Sequence, residues 1–252
     1  MRFVLTRIWI LAALVVLPSS LVYGAQTVLE TQHVDIGLGY EDGEWDLHVH
    51  NETDDEEYEP GEALLYAGMG ARTNRSASSA FNFIGVGAGQ QYWRLPQSNV
   101  PGLLYLGVGT EEIAGGTFAS WNNTDPRVNN AGPYVILELI DVRGPGEFSV
   151  WSSTDDGPLV WMSTYEGGIT SDDRLYQLEG SHSHFNYGFT QAGLYEVDFR
   201  ATAYLGPGAT NPVTSDVATY HFGIEAVPEP ATWGLLASGG ALCALAYRRR
   251  WR

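Results

Sequence analysis

The clearest signal along the chain is a two-residue alternation of apolar and polar positions in short runs. Gln32–Ile36 sets Val34 and Ile36 on one side, with His33 and Asp35 on the other. Glu44–Asn51 sets Trp45, Leu47 and Val49 against Asp46, His48 and His50. Side chains at i and i+2 of a strand share a face, so both runs read as strands with one face in a core. The Gly- and acid-rich stretch Gly37–Gly43 between them predicts the turn of an antiparallel hairpin. Further strands are predicted at Ala63–Ala67, Tyr92–Pro96, Gly102–Val108, Tyr134–Val142, Glu147–Ser152, Leu159–Ser163, His184–Phe189, Gly193–Tyr204 and Ala218–Ile224. Arg143-Gly144-Pro145-Gly146 predicts a hairpin turn, and the small, polar residues 70–82 predict a mobile excursion. No apolar 3.6-residue period persists over three turns, and no repeat of fixed period is evident. The expectation is an all-β fold, an Ig-like or jelly-roll-like antiparallel β-sandwich. Gly193-Leu194-Tyr195 supports it, because a tyrosine corner opens a strand in this way in Ig-like domains.

The two ends break the pattern. Arg2 and Arg7 precede an apolar run from Ile8 to Leu17, then Pro18 and small residues, with Val22 and Gly24 at the −3 and −1 positions of a cleavage site. This is the layout of a secretory signal peptide over residues 1–24, with the mature chain starting near Ala25. The run is shorter than the roughly 20 residues a stable span needs, which disfavours the alternative of an uncleaved anchor. At the other end, Val227-Pro228-Glu229-Pro230 leads into apolar residues 231–247 and then Arg248, Arg249, Arg250, Trp251 and Arg252. Residues 231–247 predict a short transmembrane helix whose arginines stay on the cytoplasmic side. The expected organisation is a signal peptide, one exported β-sandwich domain over residues 25–226, and a tethering segment over residues 227–252.

Composition narrows the partners. The chain has no lysine, and six of its 13 basic residues lie in the end segments. Residues 25–226 keep seven arginines against 29 acidic residues, a charge near −22. Such a surface repels nucleic acid and anionic lipid, and suits divalent cations or a hydrated matrix. The single cysteine, Cys243, lies in the terminal segment, so the exported domain has no disulfide and no thiolate ligand. Its core alone must hold it.

Two resemblances enter here. The Pro-Glu-Pro triplet, short apolar helix and terminal Arg cluster resemble a PEP-CTERM sorting signal. That resemblance implies an exosortase-type sorting enzyme as partner, a membrane tether before processing, and a Gram-negative envelope that makes exopolysaccharide; an ordinary tail anchor is the alternative. Across the middle, His33-Val34-Asp35-Ile36-Gly37, Trp45-Asp46-Leu47-His48-Val49-His50, Tyr92-Trp93-Arg94-Leu95-Pro96-Gln97, Pro101–Gly107, Thr110-Glu111-Glu112-Ile113, Gly144–Phe148 and His182–Phe189 occur in order. Together they resemble the choice-of-anchor M domain of bacterial surface proteins, related to an actinobacterial surface-anchored domain. The resemblance implies surface display without an established reaction. Through relatives associated with a metal-type transporter, it also implies metal handling by association. Phe185-Asn186-Tyr187 departs from the Asn-Trp usual in those relatives.

The histidines carry the candidate chemistry. All six lie between residues 25 and 226. His33 pairs with Asp35, His48 with His50 and His182 with His184, each two apart, a spacing that on a strand shares one face; the first two pairs, and His184 with Asn186, oppose the apolar face of their strands. Imidazole and carboxylate side chains converging from one face suit Zn²⁺ or another divalent transition metal. His221 belongs to a separate strand. The acidic run Asn51–Glu59 lacks the glycine spacing of an EF-hand loop and reads as a solvated loop. Trp93, Trp121 and Trp161 read as core before sugar platforms. No Gly-x-Ser-x-Gly, catalytic cysteine, phosphate loop or legible triad is present. The expectation is a non-catalytic surface binding protein with a metal site at His33, Asp35, His48, His50, His182 and His184. The alternative is an exopolysaccharide-associated matrix or adhesion protein in which the histidines are incidental. A metallohydrolase using the same histidines is a third reading, which would need an open coordination position beside a cleft.

Overall fold

A computed structural model describes residues 26–128 and 130–226. The expected signal peptide, the expected transmembrane helix at residues 231–247 and the terminal arginines lie outside the described residues. Among those described, no helix is long and apolar enough to cross a membrane.

The described chain is all-β, with only two 3₁₀ turns, Met69–Ala71 and Ser79–Ile84. A seven-stranded sheet runs Thr27–Leu29, Ala63–Ala67, Ala218–Ile224, Gly193–Gly206, Tyr134–Arg143, Arg174–Leu178, with Thr210–Thr214 paired to Gly193–Gly206. A five-stranded sheet runs Gly157–Ser163, Phe148–Thr154, Asn186–Phe189, Gln91–Leu95, Arg72–Asn74. A second five-stranded sheet runs His182–His184, Tyr105–Gly109, His33–Glu41, Glu44–Asn51, Glu56–Tyr58, and carries five of the histidines.

One apolar cluster joins all three. Phe148 and Phe189 from the first five-stranded sheet meet Phe222 and Phe199 from the seven-stranded sheet, with Phe189–Phe222 and Phe148–Phe199 ring centroids 5.2 and 6.5 Å apart. Val34, Ile36, Leu38, Val49, Leu106 and Val108 of the histidine sheet enter the same cluster and are at most 1% exposed. Each such side chain contributes about 1.5–3 kcal/mol on burial, which is how a chain without disulfides holds together. Two fully buried tyrosines tie the histidine sheet to its neighbours. Tyr220 donates its hydroxyl to the His48 carbonyl at 3.3 Å, and Tyr187 donates to the Gly107 carbonyl at 3.4 Å. The tyrosine corner is present, with Tyr195 donating to the Gln191 carbonyl at 2.9 Å and its ring against Gly144.

Four expectations are corrected. The fold is not purely antiparallel: Ala63–Ala67 pairs in parallel with two neighbours, and His33–Glu41 pairs in parallel with Tyr105–Gly109. The first hairpin turns only at Asp42-Gly43, both at positive φ, so its strand runs on through Gly37 and Gly39 to Glu41. Residues 143–146 do not close a hairpin, because Tyr134–Arg143 and Phe148–Thr154 belong to different sheets. Residues 70–82 are ordered around Arg75, which is 5% exposed and donates to the Phe81 and Ser76 carbonyls at 3.0 and 3.2 Å and to the Asn82 side chain.

Candidate metal centre

The histidine sheet has one face in the core and one face that carries chemistry. Strand alternation puts His33, Asp35, His48 and His50 on the second face, as their spacing predicts. Register then aligns two rows across four strands. One row reads His184, Gly107, Asp35, His50; the next reads His182, Gly109, Gly37, His48. Histidines stand at the ends of each row, and three of the four positions between them are glycine. A Cβ on Gly37 would lie 2.1 Å from His48 Nε2, and one on Gly107 would lie 2.1 Å from Asp35 Oδ1. The glycines form the floor of a trough, and the side chains of the rows fold into it.

The face is not open to solvent in the way an outward strand face would be. Asp35 is 1% exposed and His48 is 3% exposed. The cover comes from Glu111 and Glu112, which follow the Tyr105–Gly109 strand, and from Glu52 in the acidic loop. His182 Nδ1 stands 2.9 Å from Glu111, His48 Nε2 stands 3.1 Å from Glu112, and His50 Nδ1 stands 3.3 Å from Glu52 and 3.6 Å from Glu112. At the other end, His33 Nε2 and His184 Nε2 approach to 3.1 Å, and His33 Nε2 stands 4.0 Å from Asp35 Oδ1. The His184 ring stacks on Tyr105 with centroids 3.5 Å apart, which fixes its plane.

Three sets of ligand atoms each gather within 4.8 Å: His33 with His182 and His184, Asp35 with Glu111 and His182, and His48 with His50 and Glu112. The first two share His182. The third lies across Asp35, and three strand spacings separate the backbones of its row ends by about 14 Å. The six residues expected from sequence therefore face one trough but do not collapse onto one point. Sequence reasoning missed Glu52, Glu111 and Glu112 as members. Nothing in local pattern marked them, because they reach the trough from loops.

Electrostatics favours the neutral form of two of the imidazoles at one end, His33 and His184. Burial first, with repulsion from His33 and His182 adding to it, brings His184 down to about 4. Burial also lowers His33. His182 is raised, mainly by its hydrogen bond to Glu111. Asp35 is pushed up to about 7 by burial, and neither of its oxygens accepts a hydrogen bond among the described residues. A buried carboxylate left this way costs several kcal/mol unless a proton or a cation compensates it. The distances suit a cation. Two nitrogens bound to one tetrahedral Zn²⁺ at about 2.0–2.1 Å lie about 3.3 Å apart, close to the His33–His184 separation.

Other candidates fall elsewhere. His221 lies on the seven-stranded sheet and hydrogen-bonds with Gln26. Trp161 is 9% exposed beneath the Arg127 guanidinium, whereas Trp93 and Trp121 are half-buried. Asn186 is buried and donates to Ser153 at 3.0 Å and to the Trp151 carbonyl at 3.3 Å.

The comparisons with known proteins bear on the other end of the chain. Residues 226–250 match a PEP-CTERM protein-sorting motif. The motif indicates export, sorting to the cell envelope and processing by an exosortase-type system. It covers only the terminal segment and leaves the β-domain unassigned. The chain matches no curated protein and no solved structure.

Proposed function

We propose that this is a surface-displayed, non-catalytic binding protein of the choice-of-anchor M kind, which takes up a divalent transition metal outside the cytoplasm. The exosortase-type sorting enzyme is its processing partner, and a C-terminal membrane helix tethers it before processing. The metal site is centred on His33, His182 and His184, with Asp35 as the anionic ligand. The observation that carries this reading is the Asp35 carboxylate, buried to 1% exposure, without a hydrogen-bond donor among the described residues and ringed by imidazoles. Three imidazoles and one carboxylate are a donor set for Zn²⁺, Ni²⁺ or Co²⁺ rather than Ca²⁺ or Mg²⁺, which prefer oxygen alone. The acidic exterior adds long-range attraction for cations.

The test is thermal unfolding of the purified protein, stripped of metal and then titrated with ZnCl₂. Binding to the folded state should raise stability by RT ln(1 + [L]/Kd), about 2.7 kcal/mol at a hundredfold excess over Kd. Replacing His33, His182 and His184 with alanine should remove most of that gain. Unfolding that ignores Zn²⁺, Ni²⁺, Co²⁺ and Mn²⁺ alike would overturn the reading.

A further inference from the structure

The trough holds more ligand than one ion uses. A structural Zn²⁺ takes four protein ligands and a catalytic one takes three. Here five imidazoles and four carboxylates face one another across four strands. At the end away from His184, His48, His50 and Glu112 offer one atom each within 4.8 Å. His48 is 3% exposed, and its ring lies over Gly37, where any Cβ would strike Nε2. The bare glycine makes room for the ring, whose Nε2 stands 3.1 Å from Glu112. Between the two ends is a small pocket lined by Asp35 and Glu111 from one side and His50, Glu52 and Glu112 from the other, with Gly109 in its floor. Asp35, buried and without a donor, faces this shared space.

We infer that the trough binds two divalent cations side by side. The first is held by the His33, His182 and His184 end, and the second by His48, His50 and Glu112. Asp35 stands between them. This rests on the metal reading above and extends it to a second site. Charge supports the count: the four carboxylates in the trough, Asp35, Glu52, Glu111 and Glu112, carry the charge that two divalent ions neutralise. The second site has two nitrogens and a carboxylate where the first has three nitrogens. It should therefore accept a wider range of first-row metals, Mn²⁺ among them.

The experiment is calorimetric titration of the metal-free full-length protein in detergent with ZnCl₂, with bound zinc counted after desalting. The expected result is two equivalents. His50→Gln with Glu112→Gln should lose one equivalent and keep the other. Both side chains are partly exposed, at 21% and 39%, so the exchange leaves the core intact. His182→Ala with His184→Ala should also retain one equivalent, now the second-site one. Zero equivalents in the unaltered protein would overturn both this inference and the metal reading beneath it. One equivalent would overturn only the second ion. Two equivalents retained in the His50→Gln, Glu112→Gln protein would likewise remove the second ion from these residues. Loss of both equivalents in each double variant would replace two sites with a single shared one.

Discussion

Asp35 and Asp125 are both aspartates in partly enclosed surroundings, and they have opposite fates. Asp125 receives the Arg127 guanidinium through two nitrogens at 2.9 and 2.6 Å, and the Arg127 backbone N–H at 2.9 Å. The Tyr176 hydroxyl adds a contact at 3.1 Å. These bonds, led by the guanidinium, hold its carboxyl down to about 2. Asp35 has no donor and is pushed up to about 7 by burial. The guanidinium of Arg127 continues outward to the carbonyls of Val160, Trp161 and Asp172 and stacks over Trp161, so it acts as a staple between segments. A carboxylate whose partners are all supplied by the chain is structural. One whose surroundings are only imidazoles and further carboxylates lacks that anchor, and it is the group on which the proposed metal site depends.

The largest effect should come from removing the staple. Arg127→Met keeps an unbranched side chain but removes the charge, the guanidinium over Trp161 and every side-chain donor. It leaves Asp125 with only the backbone N–H of residue 127 and the Tyr176 hydroxyl, and takes the guanidinium from three carbonyls; breaking an enclosed pair in this way costs about 3–5 kcal/mol. Urea unfolding should show the midpoint falling with the slope unchanged. A loss below about 1 kcal/mol would place Arg127 among ordinary surface ion pairs and dissolve the contrast with Asp35.

Only part of that contrast was legible from residue order. The alternation around His33, Asp35, His48 and His50 fixed their common face, because a period of two leaves no other choice once Val34, Ile36 and Val49 are buried. Gly37 and Gly39 misled, since they read as turn residues. They are strand residues whose missing side chains make room for His48 and for the covering carboxylates, a reason that exists only once neighbouring strands are in register. Glu111, Glu112 and Glu52 reach the trough from loops, whose paths follow no period. The parallel pairing of His33–Glu41 with Tyr105–Gly109 joins segments about 70 residues apart, and local pattern cannot select such a partner. Likewise, His184–Phe189 reads as one strand, but His182–His184 and Asn186–Phe189 belong to different sheets.

Acid should separate the two carboxylates next. Asp125 has a folded value near 2, below the usual 3.8. The depressed value means that the ionised form is favoured by folding. Its contribution is complete above about pH 4 and is lost as pH falls through about 2. After solvent screening this amounts to about 1–2 kcal/mol. Comparing Asp125→Asn with the unaltered protein should show a stability difference that shrinks steadily over this window. A difference constant from pH 5 to pH 2 would mean the Arg127 pairing carries no charge-dependent stability.

The smallest effect on the metal-free fold should fall on the most deeply buried of these groups. Asp35→Asn is nearly isosteric and removes an anion that no donor compensates. Removing an uncompensated buried charge is neutral or stabilising, in contrast to removing one member of a satisfied pair. The metal-free variant should therefore unfold at or above the temperature of the metal-free parent at neutral pH. The imidazoles remain, but the anionic ligand is gone, so the stabilisation by ZnCl₂ should fall even though the apo protein has lost nothing. That combination separates a ligand from a structural residue, because a structural aspartate would lower the unfolding temperature with and without zinc. An apo variant several degrees less stable than its parent would show that Asp35 is held by the fold for its own sake, and the comparison with Asp125 would then be one of degree.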